Sequence, residues 1–84
     1  MTNETFAKAA ELNAEIEDLK AKLKDLLLLK QNRDNGYNVH LHLFDDVGTE
    51  VSINDRDVVE PIIETLIERT EQSVDELTQE FNKL

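Results

Sequence analysis

Apolar residues in the first third of the chain recur at alternating steps of three and four. Ala9, Leu12, Ile16, Leu19, Leu23 and Leu26 form the series, and Lys30 and Arg33 carry it on in polar form. On a helix these positions make one narrow seam, and such a seam needs an apolar partner. Residues 4–31 lack Gly and Pro and are rich in Ala, Leu, Glu and Lys, so they are predicted to form one helix. Thr2 or Asn3 supplies its cap, and Glu4 suits the positive first turn. With Ala9, Ile16 and Leu23 at position a, residues Leu12, Leu19 and Leu26 fall at d, a combination that favours a two-stranded parallel coil. Glu15 then meets Lys20 of the other copy. The second helix of the same chain is the alternative partner. Pairing between copies is the expectation, because so little else in the chain can bury the seam. Leu12, Ile16, Leu19, Leu23 and Leu26 are thus the expected oligomer interface.

Leu26–Leu29 is apolar on every side of the helix and predicts a turn with core on several sides. Asn32-Arg33-Asp34-Asn35-Gly36 ends the helix, with Gly36 suited to left-handed backbone. Tyr37–Phe44 alternates as a strand: Tyr37, Val39, Leu41 and Leu43 share one face, and Asn38, His40, His42 and Phe44 the other. Thr49–Ile53 alternates likewise. Asp46-Val47-Gly48 between them fits a three-residue hairpin loop, giving strands over 37–45 and 49–54. That register sets Leu43 opposite Val51, Leu41 opposite Ile53, His42 opposite Ser52 and His40 opposite Asn54. A lone two-stranded ribbon is marginal, so its apolar face must rest on the helices, and its edges are open to a second copy.

A second helix is predicted over 56–83, capped by Asn54 or Asp55. Its stripe is Val59, Ile62, Ile63, Leu66, Ile67, Val74, Leu77, Phe81 and Leu84. Pro61 predicts a loose turn over 55–59 or a kink, since proline is comfortable only in a first turn. The stripe thins over Arg69–Ser73, and Ser73-Val74-Asp75-Glu76 matches a capping box; one helix to the end is the expectation, with a break near Ser73 as the alternative. The chain reads as a single α+β domain, 1–84, of helix, antiparallel hairpin and helix, assembled as a dimer or higher oligomer.

Eighty-four residues make a domain that is marginal as a monomer. There is no cysteine, which removes disulfides and thiolate metal sites. Nineteen acidic residues against nine basic ones give a net charge of −10, which disfavours nucleic acid and anionic lipid as partners. No apolar run is long enough for a membrane span, and the N-terminus lacks the basic start and apolar core of a signal peptide. A cytoplasmic address and a complete small gene product are the expectations.

Three constellations stand out. Asp57, Glu60, Glu64, Glu68, Glu71 and Asp75 step by three or four and line one helix face over about 27 Å. Glu60, Glu64, Glu68, Glu71 and Asp75 are the candidate protein-binding residues. Such a face resembles the charge spacing of a nucleic-acid strand, and it is also what keeps a small oligomer soluble. The outer hairpin face carries Asn38, His40, His42, Phe44, Ser52 and Asn54, with Arg56 nearby. Two histidines and Glu50 are too small a set to predict a metal, and solvent-facing histidines are the simpler reading. Phe44 is expected under a helix end or at a subunit contact. Lys20, Lys22, Lys24, Lys30 and Arg33 read as coil flanks. With no Cys, no glycine-rich phosphate loop and no serine beside an arranged base, neither catalytic residues nor a cofactor are expected.

The Leu-rich first helix, the hairpin Val39-His40-Leu41-His42-Leu43 with Glu50-Val51-Ser52-Ile53, and the capped acidic helix together resemble short accessory proteins of bacteriophages. The likeness is one of pattern over the whole chain. It implies a non-enzymatic oligomer acting in the host cytoplasm against host defence. One such mode is to bind a host protein through an acidic helix or a composite oligomer surface. The other is to sequester a small nucleotide signal at subunit interfaces, for which Arg33, Tyr37, His40, His42 and Arg56 are the candidate residues.

Overall fold

The computed structural model describes residues 2–84. Four elements follow in order: α1 (Asn3–Asp34), β1 (Leu41–Phe44), β2 (Glu50–Ile53) and α2 (Arg56–Asn82). The architecture is α+β, with two long helices and one antiparallel ribbon.

Thr2 caps α1, its hydroxyl accepting from the Thr5 amide at 3.1 Å. The helix runs three residues beyond the expected Gln31. Lys30 and Arg33 keep the seam's register there and are held by acids of α2. A Schellman motif then stops it: the Gly36 amide donates to the Arg33 carbonyl (3.0 Å) and the Tyr37 amide to the Asn32 carbonyl (2.9 Å). Gly36 at φ +90° makes that reversal possible.

The ribbon has the expected register over Leu41 opposite Ile53, His42 opposite Ser52 and Leu43 opposite Val51, while the expected pair of His40 with Asn54 is not part of the ladder. Its loop is closed by Asp45, whose Oδ1 accepts from the Val47 and Thr49 amides at 3.1 and 2.8 Å. Gly48 sits at φ +92°. Both strands are shorter than expected. Residues 37–40 stay outside the ladder because the opposite strand leaves it after Ile53, where Asp55 turns to cap α2.

α2 runs unbroken through both expected weak points. Pro61 lies in the second turn, where it removes a single backbone donor, while Val58 and Val59 amides still bond to the Asp55 carbonyl. Near Ser73 the thinning stripe is filled by Thr70, only 8 % exposed, whose hydroxyl donates back to the Leu66 carbonyl at 2.7 Å.

The two helices pack antiparallel, as cross-links at both ends show. Lys8 meets Glu80 at 3.9 Å at one end, and Lys30 meets Glu64 at 3.2 Å at the other. In this chain the leucine seam is therefore covered by α2, which presents Val59, Ile63, Ile67 and Thr70 at matching steps. Leu12 is 2 % and Ile16 6 % exposed, and Leu19, Leu23 and Leu26 are half-buried. This replaces the expected partner helix from a second copy with an intramolecular one. The physical reason is that α2 carries a complementary heptad stripe of its own. Around Val59, Ile63 and Ile67 the core is completed by Leu23 and Leu26 from α1 and by Val39, Leu41 and Ile53 from the ribbon.

Closure is incomplete. Leu27, Leu28 and Leu29 are 40–50 % exposed, so the apolar turn faces core on one side only, contrary to expectation. The distal ribbon projects past the helices with Leu43, Val51, Val47 and Phe44 all at least half exposed. Phe44 lies under no helix end; its ring tilts against His42 at 5.6 Å. The molecule measures 51 × 34 × 15 Å across its Cα atoms. Its accessible surface is 6655 Å². A compact monomer of this mass exposes roughly 5,100 Å².

Candidate functional site

The end of the helical pair where α1 stops and α2 starts gathers most of the polar chemistry. Arg33 reaches this place through the seam's register, and its side chain is 7 % exposed. Its Nη2 faces three carboxylates: Glu64 at 3.4 Å, Glu60 at 3.7 Å and Asp34 at 3.7 Å. Glu64 also takes Lys30, and Glu60 takes Arg56 Nε at 3.5 Å. The Lys30 ammonium holds the Glu64 carboxyl below its ordinary value, against partial desolvation and with help from Arg33.

Behind this cluster lies a cavity of about 100 Å³. Arg33, Gly36, Tyr37, Asn38, Asn54 and Arg56 line it, with two valines at its apolar side. The Schellman turn places Gly36 and Tyr37 there, and the α2 cap places Asn54 and Arg56. Of the five residues expected to form a ligand site, Arg33, Tyr37 and Arg56 meet here. His40 lines an adjoining groove of about 380 Å³ with Leu29, Asn32, Tyr37 and Asn38. His42 lies apart, out on the ribbon, with Nε2 3.8 Å from Glu50. Among the described residues no three acidic or histidine side chains converge closely enough to hold a metal ion.

The acidic row of α2 divides in two. Glu60 and Glu64 are half-buried and engaged by Arg33, Arg56 and Lys30. Glu68, Glu71 and Asp75 are exposed, with no ion pair among the described residues. Asp45, at the ribbon tip, is held below its ordinary value chiefly by the Thr49 amide.

Asn38 and Asn54 join the cavity, although the strand alternation puts them on the outer ribbon face. The signal that separates them is the Asn54-Asp55 cap, which ends the ladder before either residue enters it. The Lys30–Glu64 and Arg33–Glu60 links also escape a reading of each helix alone. They become visible only when basic seam positions of one helix are set against acids at the opposite end of the other.

No family model matches the chain, and comparison with curated proteins and solved structures gives no match. No helix is long and apolar enough to cross a membrane among the described residues.

Proposed function

We propose that the protein is a non-enzymatic, self-associating binding protein of the phage-accessory kind, which engages a host protein through the exposed half of its acidic helix. The surface left over after folding carries this reading. One closed chain exposes about 1,500 Å² more than a compact monomer does, and that area includes the distal ribbon and the Leu27–Leu29 turn. A standard protein–protein contact takes about 800 Å² from each partner, so an excess of this size on one chain is more than one such contact covers. Self-association through the ribbon hides Leu43, Val51 and Phe44 and satisfies its open edges. Glu68, Glu71 and Asp75 stay outward, and their potential selects a basic partner surface.

The test is a charge reversal. Glu68→Lys, Glu71→Lys and Asp75→Lys together should abolish salt-sensitive retention of a basic host protein while leaving the scattering mass unchanged. Retention of the same partner by the triple variant contradicts the reading.

A second reading is favoured by one observation, the meeting of Arg33, Tyr37 and Arg56 around a single cavity. It is sequestration of a small nucleotide in pockets that a neighbouring subunit completes.

A further inference from the structure

We infer that the tip of the ribbon in one copy docks into a basic-rimmed apolar groove on α1 of a second copy, so that the chain associates head to tail. The inference rests on the self-association proposed above and names the two surfaces that meet.

The groove lies on the outside of α1. It is shallow, about 450 Å³, and is lined by Lys20, Leu23, Lys24, Leu27, Leu28 and Gln31. Leu23 and Leu27 form its apolar floor, and Lys20 and Lys24 stand beside them one turn apart. Residues 20–33 hold five of the chain's nine basic residues and one of its nineteen acids, so this is where a strongly acidic molecule turns basic. Lys30 and Arg33 are engaged by α2. Lys20 meets only Glu17 of its own helix, at 4.0 Å, and Lys24 has no ion pair among the described residues.

The ribbon tip is the complement. Val47 is 86 % and Phe44 74 % exposed, more than any other large apolar residue described. Asp45, Asp46 and Glu50 accompany them, and no Lys or Arg occurs between Tyr37 and Asp55. Two tips brought together would therefore set like charges against each other, a costly arrangement. A tip set in the groove faces Lys20 and Lys24 instead, buries Phe44 and Val47 on leucine, and has its strand edges covered by a helix.

The occupant comes from another copy. Leu27 and Leu29 are two positions apart, about 200° around the helix, and Leu29 lines the groove beside Val39 and His40. The chain's own ribbon thus lies across α1 from Leu27. A chain that gives its tip to one neighbour and its groove to another uses two shares of about 800 Å², close to the excess surface it exposes. Tip and groove are different surfaces, so the contact is heterologous, and it closes into a ring or runs on as an open chain.

Scattering mass against dilution at low ionic strength tests this, with charges exchanged between the two surfaces. Lys20→Glu with Lys24→Glu reverses the groove, and Asp46→Lys with Glu50→Lys reverses the tip; all four side chains are exposed, so the chain keeps its fold. Asp45 is left unchanged because it closes the loop. Each double variant should raise the dissociation constant at least about tenfold. All four substitutions in one chain, or an equimolar mixture of the two double variants, should bring it back to within about threefold of the wild type. A groove variant that associates like the wild type, or a fourfold variant and a mixture that both remain single chains, overturns the inference and leaves association through the ribbon standing. A wild type that is a single chain at every concentration overturns both.

Discussion

Lys30 and Glu64 meet at 3.2 Å across the two helices, thirty-four positions apart in the chain. The contact lies where the seam of α1 turns from leucine to base, and it joins Arg33 to the same carboxylate. Polar residues at seam positions thus extend the helix pair instead of ending it.

This contact gives stability a pH dependence. Glu64 titrates below its ordinary value of 4.5 in the folded chain, with the Lys30 hydrogen bond as the main cause. A depressed carboxyl stabilises the fold fully above the ordinary value and ceases to do so as pH falls through the depressed one. Urea midpoints of the wild type should therefore drop between neutral pH and pH below 4.5. In Glu64→Gln that drop should be smaller. An equal drop in both proteins removes Glu64 from the account.

The intramolecular seam makes a separate prediction. Leu12→Ala or Ile16→Ala empties a buried site and should cost about 3 kcal/mol, lowering Tm by roughly 15 °C with no change in scattering mass. Leu28→Ser, at a position 50 % exposed, should change stability by less than about 0.5 kcal/mol. A seam that joined two copies would instead show dissociation in Leu12→Ala before unfolding.

At the ribbon tip, Gly48 holds φ +92°, which a β-branched side chain adopts only under strain. Gly48→Val should lower stability by about 1–2 kcal/mol, and Gly48→Asn by less. Asp45→Ala should weaken the tip too, since two backbone amides lose their acceptor. Urea unfolding of the three variants checks the order.

Element order, the ribbon register over Leu41–Leu43 and each helix cap to within two adjacent residues were legible in the sequence because each rests on local chemistry. Alternation places Leu41, Leu43, Val51 and Ile53, Gly48 sets the loop, and Thr2 and Asp55 are ordinary caps. The partner of the leucine seam was not legible. A heptad stripe states that a helix must cover it and says nothing of which helix; Val59, Ile63, Ile67 and Thr70 of the same chain supply that cover. The continuity of α2 past Ser73 was the first expectation, and its physical basis is Thr70. Thr70 reads as polar, yet its hydroxyl turns back to the Leu66 carbonyl and the residue serves as core. Of the candidate ligand set, Arg33, Tyr37 and Arg56 converge because helix end, turn and cap lie together in space. His42 leaves because β1 carries it outward.

Self-association through the ribbon is the central claim, and scattering mass as a function of dilution tests it most directly. The wild type should hold a multiple of the 9.7 kDa chain mass. Replacing Leu43 and Val51 by Ser should return it to a folded single chain. A wild type that stays at 9.7 kDa at every concentration, or a double variant whose mass does not fall, would contradict the account.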